Sequence, residues 1–496
     1  IKMLFNSLDF MVFFPIVVLV YFVIPKKIRY IWLLIASYYF YMCWNVEYAL
    51  LIGVSTIITW ISGLLLGKFE KNWQRKLVVA LSFISNIGIL IFYKYFDFLL
   101  DNINFLLGKL NIEMISNPFD IVLPVGISFY TFQALSYTVD VYRKEIEPEK
   151  NPLRYALFVS FFPQLVAGPI EKSKNLLTQL KNVENIKVWN YDRVASGVIQ
   201  MIWGLFQKMV IADRISIFVD TVYANLHAVG TFETVIGIVG FAIQIYCDFA
   251  AYSTIAIGAA RVMGFELMEN FDTPYFSRSI KEFWRRWHIS LGSWLRDYLY
   301  IPLGGNRKGK VRKYFNLMVT FFVSGLWHGA SWTYVLWGCI EGAYQVIGEL
   351  LAPVKKKINQ IFNVNDKAFS YKLGQVIITF SLHTLTLVIF RAQSLSEAFY
   401  YYKRMFTRWN PWVFFNEGLY NYGLDRVEVN ILFVALLILL AVDLLKYVKN
   451  QSLSEFLMKQ NWWFRWVVVI GMIVAIFVYG QYGVAFDSTQ FIYFQF

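Results

Sequence analysis

Cysteine, histidine and charge are all scarce in this 496-residue chain. The three cysteines, Cys43, Cys247 and Cys339, lie in apolar stretches with no C-x-x-C pair, so neither a disulfide framework nor a thiolate metal site is expected. Charged residues make up 16%, where a soluble globular domain carries roughly a quarter. That shortage, with 58% hydrophobic residues and a mean hydropathy of +0.49, excludes a soluble domain and disorder alike. What the chain has in excess is aromatic residues, at 19%, which suit interfacial belts and tunnel walls. The net charge of +13 reads as basic cytoplasmic loops that set membrane orientation, with some of it available to an anionic substrate, and not as a nucleic-acid surface.

A bilayer crossing needs about 20 apolar residues. Runs of that kind fall at 8–24, 30–45, 48–67, 77–100, 121–141, 154–171, 196–212, 231–262, 314–345, 371–390, 427–446 and 463–484. They predict an all-α polytopic membrane protein of about 10–12 helices, forming one membrane domain over 1–496. Pro and Gly inside several runs, as in Phe162-Pro163-Gln164, predict broken or re-entrant segments buried in protein. Ile1-Lys2-Met3 points to Met3 as the natural start. The first apolar run lacks a small-residue cleavage site and reads as a retained helix. If the basic cluster at 25–29 is cytoplasmic, the N-terminus lies outside.

Two stretches carry chemistry. Over 275–298, an apolar stripe (Ile280, Phe283, Trp284, Trp287, Leu291, Trp294, Leu295, Tyr298) opposes a face with Arg278, Lys281, Arg285 and Arg296. The pattern predicts one amphipathic helix at the interface or tucked into the protein, with His288 at the seam between its faces. Arginine and lysine interleaved with tryptophan suit a phosphate-bearing ligand. The following loop, Gly304-Gly305-Asn306-Arg307-Lys308-Gly309-Lys310, adds backbone donors and positive charge. Lys281, Trp284, Arg285, Arg286, Trp287, Arg296 and Asn306 are the candidate donor-binding residues.

The second stretch is Asn316–Glu341, where His328 follows Asn316 by about 18 Å of helix at 1.5 Å per residue. An ionisable group at that depth is a functional candidate. Small neighbours (Ser324, Gly325, Gly329, Ala330, Ser331) leave room beside the ring, and a buried imidazole is expected to be neutral at pH 7, as a general base must be. A histidine bridging two packed helices is the bland alternative. His227 reads as a loop residue and His383 as a structural hydrogen-bonding group. Gln244, Asp248 and Tyr252 share a helix face at i, i+4, i+8 and form either a polar tunnel wall or a structural network, with Arg261 or Tyr252 as the partner of Asp248.

At Phe161–Glu171, Gln244–Phe249, Trp284–Leu291, Arg296–Gly305, Gly325–Ala330, Phe390-Arg391-Ala392 and Phe491–Phe496 the chain resembles the membrane-bound O-acyltransferase family. It is most similar to the bacterial branch that O-acetylates alginate, peptidoglycan and other polysaccharides. The resemblance implies helices around a transmembrane tunnel, a thioester donor such as acetyl-CoA entering from the cytoplasm, and an acceptor from outside. It assigns His328 as the catalytic histidine and His288 as the second family histidine. Ser324, Trp327 and Trp332 join Gln244, Asp248 and Tyr252 as candidate tunnel residues. It further implies a bacterial inner-membrane location among lipid, no resident cofactor or metal, and a separate extracytoplasmic SGNH-type acetyltransferase that delivers acetyl to the polysaccharide. Cys247 fills a slot often taken by an aromatic. The alternative function is a glycan or lipid-intermediate exporter that uses the same tunnel without acyl chemistry; the chain shows none of the paired inverted halves common in transporters.

Overall fold

The computed structural model describes residues 3–482 except 120 and 167, so the closing Phe491–Phe496 motif lies outside the described residues. Among the described residues every regular element is helical. Seven helices are long and apolar enough to cross a bilayer: Val46–Lys68, Asn72–Lys109, Tyr191–Ala224, Thr231–Met263, Phe369–Arg391, Arg426–Lys449 and Trp462–Tyr479. Leu8–Val23 is a shorter apolar helix. The chain is a multi-pass membrane protein.

Burial sorts these helices by position. The most apolar stretch of Thr231–Met263 is 78% buried, while that of Trp462–Tyr479 is only 11% buried. The first is the central post, and the second faces lipid. The post packs on Tyr191–Phe206 through facing glycines. A Cβ on Gly197 would come within 2.7 Å of the Gly258 carbonyl oxygen, and one on Gly258 within 2.6 Å of that of Gly197. Small residues let membrane helices approach this closely.

The expected break at 161–163 is present, as the helices Pro152–Ser160 and Phe162–Leu165. The Phe162 N–H leaves the helical ladder and donates to Ser37 Oγ at 3.1 Å. The Phe158 carbonyl instead accepts from the side-chain amides of Gln133 (2.6 Å) and Gln164 (3.1 Å). Non-helical backbone is thus satisfied internally, as an apolar surround requires.

Two expectations fail. The run 314–345 is not one span: it is a hairpin of Gly309–His328 and Trp332–Ile361, reversed at Gly329–Ser331. Ser331 caps the second helix, accepting from the Thr333 N–H at 3.3 Å. The hairpin closes on Gly338, where a Cβ would stand 2.4 Å from the Phe321 carbonyl oxygen. Gly338→Leu is therefore expected to destabilise the protein by at least about 1–3 kcal/mol, read as a lower thermal midpoint in detergent. The stretch 275–298 is likewise not one helix. It forms Ile280–Arg286 and Ile289–Leu295, followed by a π-helical turn at Arg296–Tyr300.

Candidate active site

The break between those two short helices falls at His288, which adopts φ 46°, ψ 52°. A left-handed non-glycine residue costs of order 1–3 kcal/mol and persists only where its surroundings over-determine it. Here Asn270 does so. Its Oδ1 accepts from the Ser290 N–H (3.2 Å) and Ser290 Oγ (2.9 Å), and its own backbone carbonyl takes the Ile289 N–H at 3.0 Å. Because a backbone N–H only donates, Oδ1 is an acceptor, so the His288 Nδ1 3.1 Å away carries the proton. Asn270 is held in turn by donating through Nδ2 to Ser253 Oγ at 3.0 Å on the central post. His288 is fully buried, not placed on a seam between helix faces.

His328 ends its helix and is 3% exposed. Its Nδ1 lies 2.7 Å from the Ser324 carbonyl oxygen one turn back. A carbonyl cannot donate, so this nitrogen also carries the proton and Nε2 carries the lone pair. Both imidazoles thus have the tautomer of a base. Their ring centroids are 6.4 Å apart, nearly edge-on, in a cage of Trp327 (5.5 Å from His288, 5.0 Å from His328), Phe249 (4.7 Å from His288) and Trp337 (4.9 Å from His328).

Two cavities lie by the last turn of the His328 helix: the larger touches Ser324 and neither histidine, the smaller touches His328, and His288 lines neither. The larger, of about 460 Å³, is lined by Lys281, Trp284, Arg285, Arg296, Asn306 and Ser324, among others. Five of the seven expected donor-binding residues therefore share one wall. Arg286 and Trp287 do not line it. Arg286 is engaged by Asp272 (3.0 Å) and Glu282 (3.2 Å), and Trp287 is buried, stacked on Phe283 at 5.4 Å. The pocket wall is braced from behind: Trp284 Nε1 donates to Glu341 Oε2 at 2.9 Å, while Glu341 Oε1 accepts from Thr386 (2.7 Å) and lies 2.9 Å from His383 Nδ1. At its rim, burial alone would raise the Asp297 carboxyl, but hydrogen bonds from Arg296 and Lys172 outweigh this and hold it below the usual carboxylate range. This tie therefore adds stability above about pH 4 and loses it in stronger acid.

The smaller cavity, of about 90 Å³, is lined by Lys94, Leu123–Phe129, Val166, Trp327 and His328. Of the expected tunnel residues, Ser324 lines the larger cavity and Trp327 the smaller. Trp332 is exposed and donates through Nε1 to Asn102 Oδ1 at 2.9 Å. Gln244, Asp248 and Tyr252 line neither cavity. The partner of Asp248 is Lys208 at 2.5 Å, which also pairs with Asp213 at 2.8 Å; Arg261 pairs with Glu266 instead. His227, in its loop, lies 3.1 Å from the Tyr400 hydroxyl.

Fold and site together define a multi-pass membrane protein with a buried histidine pair and a basic pocket that reaches Ser324, one turn before His328. The chain belongs to the membrane-bound O-acyltransferase family and is an O-acyltransferase. The family profile matches residues 144–359, which hold both histidines and the basic loop. The chain is similar to a probable alginate O-acetylase of Pseudomonas syringae pv. tomato, 40% identical over 413 residues, covering 82% of this chain and 75% of that protein. It is also similar to a peptidoglycan O-acetyltransferase of Helicobacter pylori, 33% identical over 80% of this chain and 78% of that protein. A teichoic acid D-alanyltransferase of Streptococcus thermophilus is 29% identical over 54% of this chain and 68% of its own.

Proposed function

We propose that this enzyme takes an acetyl group from a cytoplasmic thioester, acetyl-CoA, and passes it across the bacterial inner membrane for O-acetylation of a cell-wall or extracellular polysaccharide. The observation that carries the reading is the buried His328 imidazole, its Nδ1 held by the Ser324 carbonyl, lining a small cavity one helical turn from a basic pocket that reaches Ser324.

In this mechanism Nε2 of His328 removes the proton of an acceptor hydroxyl as its oxygen attacks the thioester carbonyl. The carbon–sulfur bond then breaks, and the proton returns from His328 to the departing thiolate, leaving an ester and a free thiol. His288, its Nδ1–H held by Asn270, supports His328 from within the shared aromatic cage by orienting or polarising the thioester. Lys281, Arg285 and Arg296 hold donor phosphates. The acceptor hydroxyl would enter the small cavity that His328 lines. In this reading a separate extracytoplasmic SGNH-type acetyltransferase supplies that hydroxyl and delivers the acetyl group to the polysaccharide. The same reading has the basic side cytoplasmic and the N-terminus outside.

Thiol release from acetyl-CoA by the purified protein in lipid nanodiscs tests the reading; an exporter would release none. In the same assay the double variant Lys281→Ala/Arg285→Ala is expected to raise KM for acetyl-CoA about a hundredfold or more, from the loss of two charge-assisted bonds worth about 1.5–3 kcal/mol each, with kcat kept. Arg286→Ala, outside the pocket, is expected to leave that KM unchanged.

A further inference from the structure

The last carbonyls of an α-helix have no partner within it. At the end of the His328 helix, inside the protein, each has found one. The Gly325 carbonyl accepts from the Gly329 N–H at 3.4 Å. The Leu326 carbonyl accepts from the Tyr95 hydroxyl at 2.6 Å. The Trp327 and His328 carbonyls both accept from Lys94 Nζ, at 2.7 and 3.2 Å. A third, longer bond from Nζ reaches Ser128 Oγ at 3.4 Å.

Lys94 and Tyr95 are consecutive and close the π-helical turn Ile91–Tyr95 inside the helix Asn72–Lys109. Single π turns within α-helices are frequent at functional sites, because they re-aim side chains that a regular turn would direct elsewhere. A lysine in an apolar span is costly, and a carboxylate is the usual remedy. Among the described residues Lys94 has no ion-pair partner; its bonds go to two backbone carbonyls and a serine. A cation at a helix C-terminus also matches the negative end of the helix dipole. Lys94 lines the same small cavity as His328.

We propose that Lys94, assisted by Tyr95, is a positioning residue that pins the terminal turn of the His328 helix and so holds the imidazole of His328 in register with the small cavity where the acceptor hydroxyl enters. Because Nδ1 of His328 is tied to Ser324 in that same turn, any unwinding of the helix end moves the ring. Lys94 acts through His328 and touches no part of the donor pocket, so its effect falls on kcat and spares donor binding. The inference rests on His328 being the general base.

The test is steady-state thiol release from acetyl-CoA by purified full-length variants in nanodiscs, with thermal midpoints measured in parallel. Lys94→Met is expected to lower kcat about a hundredfold, the scale of an ångström-sized misplacement, with KM for acetyl-CoA within about twofold of wild type. Lys94→Arg, which can still donate to both carbonyls, is expected to recover at least about a tenth of the wild-type kcat. Tyr95→Phe, lacking one carbonyl bond, should lose kcat more mildly at an unchanged midpoint. Folded Lys94→Met with wild-type kcat, beside an inactive His328→Ala, would overturn the inference. So would a folded Lys94→Arg as inactive as Lys94→Met. An active His328→Ala would instead remove the reading beneath it.

Discussion

His328→Ala is expected to lower acyl transfer by about 10²–10⁴-fold while leaving the protein folded and inserted. The size follows from the role: proton removal by a positioned base supplies roughly that factor. At the small cavity Lys94 Nζ is committed to two backbone carbonyls, and the Trp327 indole N–H has no lone pair to offer. The fold should survive because the Nδ1 bond stays within the ring's own helix turn and the ring packs in an aromatic cage. His328→Gln, polar and of similar size, should be comparably inactive, which separates loss of the base from loss of packing. Thiol release and thermal midpoint read on the same preparation check both halves. Full activity in the alanine variant would end the general-base assignment.

Lys208→Met is expected to be the most destabilising single change. Lys208 belongs to the π-helical turn Gln207–Ala212, and its ammonium bridges Asp213 and Asp248 with all three side chains nearly inaccessible. Methionine fits the space but leaves two carboxylates facing each other without a cation. Breaking a buried ion pair in this way costs about 3–5 kcal/mol. Asp248→Asn makes the useful contrast, since Lys208 and Asp213 remain as a neutral pair and the loss should be clearly smaller. Thermal midpoints of the two variants in one detergent measure the difference. Equal losses would show that the triad matters by shape alone.

These residues also mark where sequence reading stopped. The long apolar runs, the broken helix at Pro163 and the burial of His328 were legible because each has a local signature: hydropathy, a missing N–H, an imidazole among apolar neighbours. The reversal at Gly329–Ser331 was not, since Gly, Ala and Ser serve equally for tight helix packing and for a turn, and the capping role of Ser331 competed with that ambiguity. The break at His288 was hidden for a different reason. The 3.6-residue pattern runs straight through it, and what holds the kink is Asn270, which reaches in from the preceding loop. Lys94 and Lys208 carried a usable signal, being cations within apolar spans, but nothing in the local pattern indicates a π turn or names a partner 40 or more residues away. The grouping of the basic stretch was legible for five residues, which line one cavity. It failed for Arg286 and Trp287 because a straight-helix projection cannot show which way a broken helix turns them.

Proteoliposomes of uniform orientation give the most direct measurement, with labelled acetyl-CoA supplied on one side and acetylated acceptor collected on the other. The account predicts label in the far compartment only when donor faces the Lys281–Arg285–Arg296 pocket, and none with His328→Ala. Label appearing equally from either side, or passing at the wild-type rate without His328, would contradict it.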